Sequence, residues 1–399
     1  MQYKIRFAIL VTVALHGCGG GGAGPAPIVP LPPADFAYQV PASTGDSWTV
    51  ASAADHGISV STLESMMNDV RSGMFPNVDS IAIARNGELI FDETIRLETD
   101  SEDGRVGNTD LSVHAQFSAT KSITSLLIGI TIDEGHIAGV NAPYLGLFPY
   151  VGYANWDERK NDITLQHVLT MQLGLDWNEW NPPYSSPDNQ LIRFYEDEVD
   201  YSKAVLDLPL VADPGAQFAY NTAATISLGQ AIENSAPLSL IDFGANALMG
   251  PLGITDIELL TTPTGLPNGG GGFYVRTRDM AKFGQLVLNR GTWNGDRVVS
   301  EAWINESMTP RTDISFSNPD EWDWQVEGYG YQWWLGHYDM AGTKVDTYVA
   351  WGFGGQWVIA IPSLNLVIAI NSHGYDGSDA AQNEAHAIVR RYVLDALTG

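Results

Sequence analysis

Short apolar runs near both ends of the chain predict β-strands. Residues 80–85 and 88–91 are two such runs, and Asn86-Gly87 between them supplies the positive φ angles of a tight primed turn. Residues 356–361 and 366–370 flank Pro362-Ser363, and residues 347–351 precede them. We therefore predict one β-hairpin near the start of the folded chain, and a further strand followed by a second hairpin near its end.

Helical spacing of apolar residues dominates from residue 121 to about residue 260. The spacing is clearest in residues 163–171, 201–208 and 222–232, and an amphipathic pattern over residues 379–397 predicts a final helix. Strands at both ends with helices between them predict an α+β fold. The two chain ends are expected to share an antiparallel sheet flanked by helices, the middle to form a mainly helical subdomain, and a cleft to lie between them.

The first residues have the pattern of an export signal. Lys4 and Arg6 precede an apolar run over residues 7–15, which is too short to span a membrane. His16-Gly17-Cys18 then resembles the end of a bacterial lipobox, so we expect a signal peptide over residues 1–17 and lipidation of Cys18. The protein is thus expected to be anchored to a membrane of the bacterial cell envelope. Secretion without an anchor is the alternative, because histidine is not favoured in a lipobox.

Composition limits the remaining possibilities. Residues 18–35 are rich in glycine and proline and predict a flexible linker, so the folded domain is expected to span residues 36–399. We divide it into an α/β part, residues 36–120 and 270–399, and a helical part, residues 121–269. The net charge of −27 argues against a nucleic-acid partner. Because 44% of the residues are apolar, the acidity indicates a solubilising surface and not disorder.

The strongest chemical signal is Ser118-Ala119-Thr120-Lys121, at the predicted start of an apolar helix. Residues three apart lie on one face of a helix, so the serine hydroxyl and the lysine amine are expected to be neighbours. A partly desolvated amine can lose its own proton and accept that of the serine, which makes the hydroxyl a nucleophile. This is the Ser-x-x-Lys arrangement of the penicillin-recognising serine hydrolases. The alternative is a capping serine with a solvated lysine.

Two further segments offer partners for such a nucleophile. Tyr220 follows the Pro214-Gly215 turn. Near a lysine ammonium the phenolate form of a tyrosine is favoured, and the tyrosine can relay a proton from the serine to a leaving group. Packing is its alternative role. Glycines in residues 350–356, Gly352 among them, let a substrate approach the backbone closely, and a backbone N–H there can bind an oxyanion together with that of Ser118. A β-bulge is the alternative for this stretch.

Other residues are weaker candidates for substrate contact. Glu179 is interpreted either as a ligand for a substrate amine or, preferably, as a surface carboxylate. Trp177 and Trp351 belong to a set of aromatic residues that fits an aromatic wall of the cleft or ordinary core packing. We expect neither a metal site nor a cofactor.

An ordered series of segments carries a resemblance to a known family. From about Trp48 to its end, the chain resembles the class C β-lactamase-related serine hydrolases, which include D,D-peptidases, family VIII carboxylesterases and 6-aminohexanoate-dimer hydrolases. The segments are residues 117–122, 162–171, 174–177, 214–222, 269–283, 329–334 and 352–356. The Ser118-Ala-Thr-Lys-Ser start is most similar to the 6-aminohexanoate-dimer hydrolase-like branch. The resemblance implies a β-lactamase/transpeptidase-like fold.

The resemblance also implies roles for the candidate residues. Ser118 becomes the acylated nucleophile, Lys121 its partner in proton transfer, and Tyr220 the base or proton relay. The N–H of Phe353 becomes the second oxyanion donor if residues 350–352 align with the family's Lys-Thr-Gly. Ala350 then replaces the lysine that grips a substrate carboxylate, so the charge-assisted anchor for β-lactams or peptidoglycan stems is missing.

The second motif departs from the family as well. Asn221 stands one place before the usual asparagine, and Thr222 occupies that place, so Asn221 is interpreted as a substrate contact or as a helix N-cap. We predict a serine hydrolase that cleaves a small ester or amide through an acyl-enzyme. Two alternatives stay open: a weak or inactive envelope protein that binds peptidoglycan peptides, and a D,D-peptidase or β-lactamase.

Overall fold

The computed structural model describes residues 8–9, 36–96, 113–314, 323–340 and 342–397. Apart from residues 8–9, the expected signal peptide, Cys18 and the linker lie outside the described residues, so their assignment stays a prediction. Within the described ranges, no helix is long and apolar enough to cross a membrane.

The regular elements are numbered in chain order. The strands are β1 (Ala8–Ile9), β2 (Val78–Arg85), β3 (Glu88–Thr94), β4 (His114–Ala115), β5 (Ile257–Thr261), β6 (Phe273–Val275), β7 (Thr292–Trp293), β8 (Asp296–Arg297), β9 (Thr312–Asp313), β10 (Trp324–Tyr329), β11 (Trp334–Met340), β12 (Thr343–Gly352), β13 (Gln356–Ile361) and β14 (Leu366–Ser372). The helices are α1 (Val60–Arg71), α2 (Thr120–Asp133), α3 (Leu165–Leu169), α4 (Gln190–Asp197), α5 (Tyr201–Asp207), α6 (Thr222–Ser235), α7 (Leu240–Gly244), α8 (Thr277–Leu288), α9 (Glu301–Ser307) and α10 (Ala380–Ile388).

The main sheet joins the two ends of the described chain. Its order is β3-β2-β14-β13-β12-β11-β10-β9, and every neighbouring pair is antiparallel. The strand β14 from the C-terminal part pairs with β2 from the N-terminal part. A smaller sheet has the order β1-β5-β6-β4, and β7 pairs with β8. The predicted antiparallel sheet shared by the two chain ends is confirmed.

Both predicted hairpins are present. Asn86 and Gly87 have φ angles of 54° and 87°, as a primed turn between β2 and β3 requires. The strands β13 and β14 form the second hairpin and are buried at every position. The strands β10 and β11 were not predicted, and β12 begins at Thr343, earlier than the sequence pattern indicated.

Helices cover both faces of the sheet, which explains why its central strands are apolar throughout. Successive residues of β13 belong to different cores: Val358 packs with α8 and the helical part, and Ile359 packs with α1 and the C-terminal helix. Helix α8 approaches its face of the sheet closely, since a Cβ on Gly284 of α8 would lie 2.8 Å from the side chain of Val358. Only glycine permits this spacing.

The middle of the chain is largely helical, as predicted. The predicted helices over 163–171, 201–208 and 222–232 correspond to α3, α5 and α6. The final helix is α10, which continues as a π-helical segment to Leu394. Helix α2 begins beside the end of β12, because a Cβ on Gly352 would lie 3.1 Å from the backbone nitrogen of Ala119. The candidate site lies at this junction.

Candidate active site

Ser118 lies in a tight turn that leads into α2. The turn is a 3₁₀ helix, Phe117–Ala119, and the N–H of Ala119 donates to the carbonyl of Gln116 at 3.0 Å. Phe117 has a φ of 42°, a left-handed conformation that is costly for a bulky residue and typical of functional sites. The N–H of Gln116 donates to the carbonyl of Phe273 at 2.8 Å, which ties the turn to the smaller sheet. These contacts fix the backbone that presents Ser118.

Lys121 lies one helical turn beyond Ser118 and faces it. Its Nζ donates to Oγ of Ser118 at 2.9 Å and to the carbonyl of Gly270 at 2.7 Å. Burial lowers the pKa of Lys121 to about 8, although the charge of Glu179 acts in the opposite direction. Roughly a tenth of the amine is therefore neutral at pH 7, far more than for a lysine in water, and it contacts the hydroxyl whose proton it can accept.

Tyr220 completes a cluster with Ser118 and Lys121. Its side chain hydrogen-bonds with Ser118, and its ring centroid lies 4.9 Å from Nζ of Lys121. Trp180 and Trp334 stack on the ring at centroid distances of 5.4 and 5.6 Å. The structure therefore brings together the three residues that the sequence singled out.

The protonation of Tyr220 differs from the expectation. Burial and the charge of Glu179 raise the pKa of Tyr220 well above its usual value, and the hydrogen bond with Ser118 opposes this only in part. The phenolate that the sequence analysis favoured is thus wrong for this environment. Tyr220 is a neutral phenol that can donate one proton and accept another.

The end of β12 lies directly against the nucleophile turn. A Cβ on Gly352 would overlap the carbonyl oxygen of Gln116, so glycine is required for this approach. Trp351 stacks on Trp357 at 5.0 Å and packs against Trp334 at 5.4 Å. The ring of Phe353 packs edge-on against Phe117 at 5.8 Å, which places residue 353 beside the turn that carries Ser118.

The remaining candidates are buried, and Asn221 and Trp177 have the alternative roles of helix N-cap and core packing. Asn221 is the N-cap of α6: its Oδ1 accepts from the N–H of Ala224 at 2.8 Å. Trp177 is buried, and its Nε1 donates to Glu179 at 2.9 Å. Glu179 is 1% exposed, so the preferred interpretation as a surface carboxylate is wrong. Its oxygens accept hydrogen bonds from the protein itself.

Two contributors to the site were missed. Gly270 supplies the carbonyl that holds Lys121, and the run of glycines from 269 to 272 was a signal for close backbone contact. Gln332 joins three helices: its backbone carbonyl accepts from Ser122 in α2, its Oε1 accepts from Thr225 in α6, and its Nε2 donates to the carbonyl of Leu169 in α3. A lone glutamine between aromatic residues gave no indication of this role.

Comparison with known proteins places the chain in a family. Residues 66–391 match the beta-lactamase family. The chain belongs to the beta-lactamase family. A curated relative, the 6-aminohexanoate-dimer hydrolase of Paenarthrobacter ureafaciens, is 26% identical over 237 residues, which cover 55% of this chain and 57% of that protein. The chain thus aligns with little more than half the length of this relative.

Solved structures share the beta-lactamase fold. EstCE1, a hydrolase with promiscuous acyltransferase activity, superimposes with a TM-score of 0.63 at 16% identity, over 87% of this chain and all of that one. The octameric penicillin-binding protein homologue from Pyrococcus abyssi superimposes with a TM-score of 0.59 at 19% identity, over 82% and 76% of the two chains. The predicted beta-lactamase/transpeptidase-like fold is confirmed.

Proposed function

We propose that the protein cleaves a small ester or amide through an acyl-enzyme on Ser118. The observation that carries this proposal is the contact between Nζ of Lys121 and Oγ of Ser118 at 2.9 Å, made by an amine whose pKa burial lowers to about 8. A hydroxyl bonded to such an amine has a base in place, and the tyrosine in the same cluster adds a second proton carrier.

The first half-reaction forms the acyl-enzyme. Oγ of Ser118 bonds to the substrate carbonyl carbon while its proton passes to Nζ of Lys121, and the carbonyl oxygen takes up the electron pair. The N–H groups of Ser118 and Phe353 donate to that oxyanion. The hydroxyl of Tyr220 then protonates the leaving alcohol or amine as the scissile bond breaks, and recovers a proton from Lys121.

The second half-reaction releases the acid. A water molecule gives a proton to the neutral Lys121 and bonds to the acyl carbon, and the oxyanion again lies at the two N–H groups. Collapse of this intermediate breaks the bond to Oγ of Ser118, which regains its proton. The phenol of Tyr220 can carry protons in both halves because it starts neutral.

The surroundings of the site favour a small substrate that is not gripped by a cation. Ala350 is buried and contributes no charge where the family resemblance places a lysine. Aromatic rings stand on two sides of Ser118: Tyr220 with its stacked tryptophans, and Phe353 with Phe117. The curated relative is named as a hydrolase of 6-aminohexanoate dimer, an amide, and supports the inclusion of amides.

A panel of substrates tests the proposal. Initial rates are measured on p-nitrophenyl acetate and butyrate, on linear 6-aminohexanoate dimer and on a chromogenic cephalosporin. We expect turnover of an ester or the amide, its loss in Ser118→Ala, and its retention in Ser61→Ala, a change on the distant helix α1. Efficient turnover of the cephalosporin alone, or of no compound in the panel, contradicts the proposal.

A further inference from the structure

Glu179 is a buried carboxylate at the centre of the site, and its hydrogen bonds all come from the protein. Oε2 accepts from Nε1 of Trp177 at 2.9 Å and from the N–H of Thr222 at 2.6 Å. Oε1 accepts from the hydroxyls of Tyr184 at 2.9 Å and Thr222 at 2.7 Å. Four donors around one carboxylate compensate the loss of water on burial.

These hydrogen bonds join three parts of the site. Thr222 comes two residues after Tyr220, so Glu179 holds the segment that presents the catalytic tyrosine. Tyr184 packs edge-on against Phe353 at 5.7 Å, which connects the carboxylate to the proposed oxyanion donor. The residue after Glu179 is Trp180, whose ring stacks on Tyr220 at 5.4 Å.

The charge of Glu179 also acts on the proton carriers. It raises the pKa of Lys121 against the larger effect of burial, and it adds to burial in raising the pKa of Tyr220. The other titratable groups that its charge reaches are Tyr184 in the same loop, Tyr195 on α4 and Tyr329 on β10. Lys121 is the cation in this group, and its Nζ donates to Ser118 and to the carbonyl of Gly270.

We propose that Glu179 is a positioning residue that stabilises the ammonium formed when Lys121 takes the proton of Ser118, and that keeps Tyr220 protonated. The inference rests on the proposed function. The charge of the carboxylate has two opposing effects on the pH dependence of the acylation rate. The charge delays deprotonation of the resting Lys121 to higher pH, and it lowers the energy of the transition state in which Lys121 becomes charged.

Glu179→Gln removes the charge with little loss of structure. The amide oxygen can take the place of Oε2, which accepts from two N–H groups that cannot reverse. The amide NH₂ then takes the place of Oε1, where both partners are hydroxyls that can rotate to accept. Every hydrogen bond is retained in this arrangement. Tyr184→Phe is the matched control, because it removes one hydrogen bond and leaves the charge.

The first measurement follows Lys121 directly. The chain has six lysines, so selective [13Cε]lysine labelling gives a simple NMR spectrum, and the Lys121 signal is assigned by its loss in Lys121→Arg. We expect the titration midpoint of Lys121 to fall by about 1 pH unit in Glu179→Gln and to stay near the wild-type value in Tyr184→Phe. An unchanged midpoint in folded Glu179→Gln overturns the proposal. Because this measurement needs no turnover, its result does not depend on whether the proposed function is correct.

The second measurement is the rate of Ser118 acylation by a fluorophosphonate as a function of pH. In Glu179→Gln we expect the acid limb to move to lower pH and the limiting rate to fall at least tenfold. A lower limiting rate with an unmoved acid limb indicates a purely structural role and overturns the electrostatic part of the proposal. If the wild-type protein is not labelled, the proposed function is contradicted. The NMR titration still shows whether the charge of Glu179 changes the pKa of Lys121. Thermal unfolding followed by circular dichroism confirms that each variant is folded.

Discussion

Gly352 is the residue through which β12 touches the nucleophile turn, and we expect Gly352→Ala to remove most of the activity. A Cβ at this position would overlap the carbonyl oxygen of Gln116 and lie 3.1 Å from the nitrogen of Ala119. These two backbone groups form the hydrogen bond that closes the turn around Ser118. The clash is therefore with backbone on the turn, and relief requires the strand and the turn to separate by about 1 Å.

A displacement of that size has a calculable effect on rate and stability. It moves Ser118 relative to the N–H of Phe353, and a misplacement of about 1 Å costs roughly 100-fold in rate. Overpacking of the junction adds a loss of about 1–3 kcal/mol in the free energy of unfolding. We expect kcat/KM on a p-nitrophenyl ester to fall by about that factor while the protein stays folded, as judged by thermal unfolding.

Gly152→Ala serves as the control, because a Cβ on Gly152 meets no atom within 4 Å. It should keep wild-type kcat/KM and wild-type stability. If Gly352→Ala also retains wild-type kcat/KM, the close approach of β12 to the nucleophile turn does not set the geometry of the site, and the reasoning is refuted.

Three further outcomes are expected. Lys121→Ala and Tyr220→Phe should each lower kcat by roughly 10²–10⁴-fold. In the wild-type protein the acid limb of kcat/KM should have its midpoint near pH 8, because burial lowers the pKa of Lys121 to about 8. A flat profile through that pH contradicts the role of the amine. Trp180 is 42% exposed and stacks on Tyr220, so Trp180→Ala should raise KM for aryl esters several-fold. Trp156 is 47% exposed but does not stack on Tyr220, so Trp156→Ala should leave KM unchanged. Equal KM values in the two variants count against contact between Trp180 and the substrate. Burial lowers the pKa of His386 to about 3 from its usual 6.5, so the unfolded chain binds its proton first as pH falls. This contribution to stability is complete above pH 6.5 and is lost towards pH 3, at up to about 1.4 kcal/mol per pH unit; urea unfolding of His386→Gln should show a weaker dependence over that range, and an unchanged slope would show that His386 does not contribute.

Local patterns were sufficient for much of the fold. The Asn86-Gly87 turn and the apolar runs around it predicted β2 and β3, because turn chemistry and strand pattern agreed. The strand β10 was missed although Trp324 and Val326 are buried while Gln325 and Glu327 are exposed. The alternation is short and contains a glycine and a glutamate, which are poor indicators of a strand before the neighbouring strands are known.

The candidate site was likewise predicted only in part from the sequence. The spacing of Ser118 and Lys121 predicted their contact, because one helical turn determines it. The burial of Glu179 and the protonation of Tyr220 could not be predicted, because both depend on segments brought together only by the fold. A carboxylate that follows Trp177 and Asn178 looks solvated in the sequence, and its donors include Thr222, which lies at the start of α6 and is far away in the chain.

The central claim is that Ser118 becomes covalently acylated, and peptide mapping after treatment with a fluorophosphonate tests it most directly. The wild-type protein should gain the mass of one adduct, located on the peptide that contains Ser118, and Ser118→Ala should gain none. Prior incubation with a turned-over ester should slow the labelling, because both compounds compete for the same hydroxyl. An adduct that persists in Ser118→Ala, or that maps to another residue of the wild-type protein, would contradict the account.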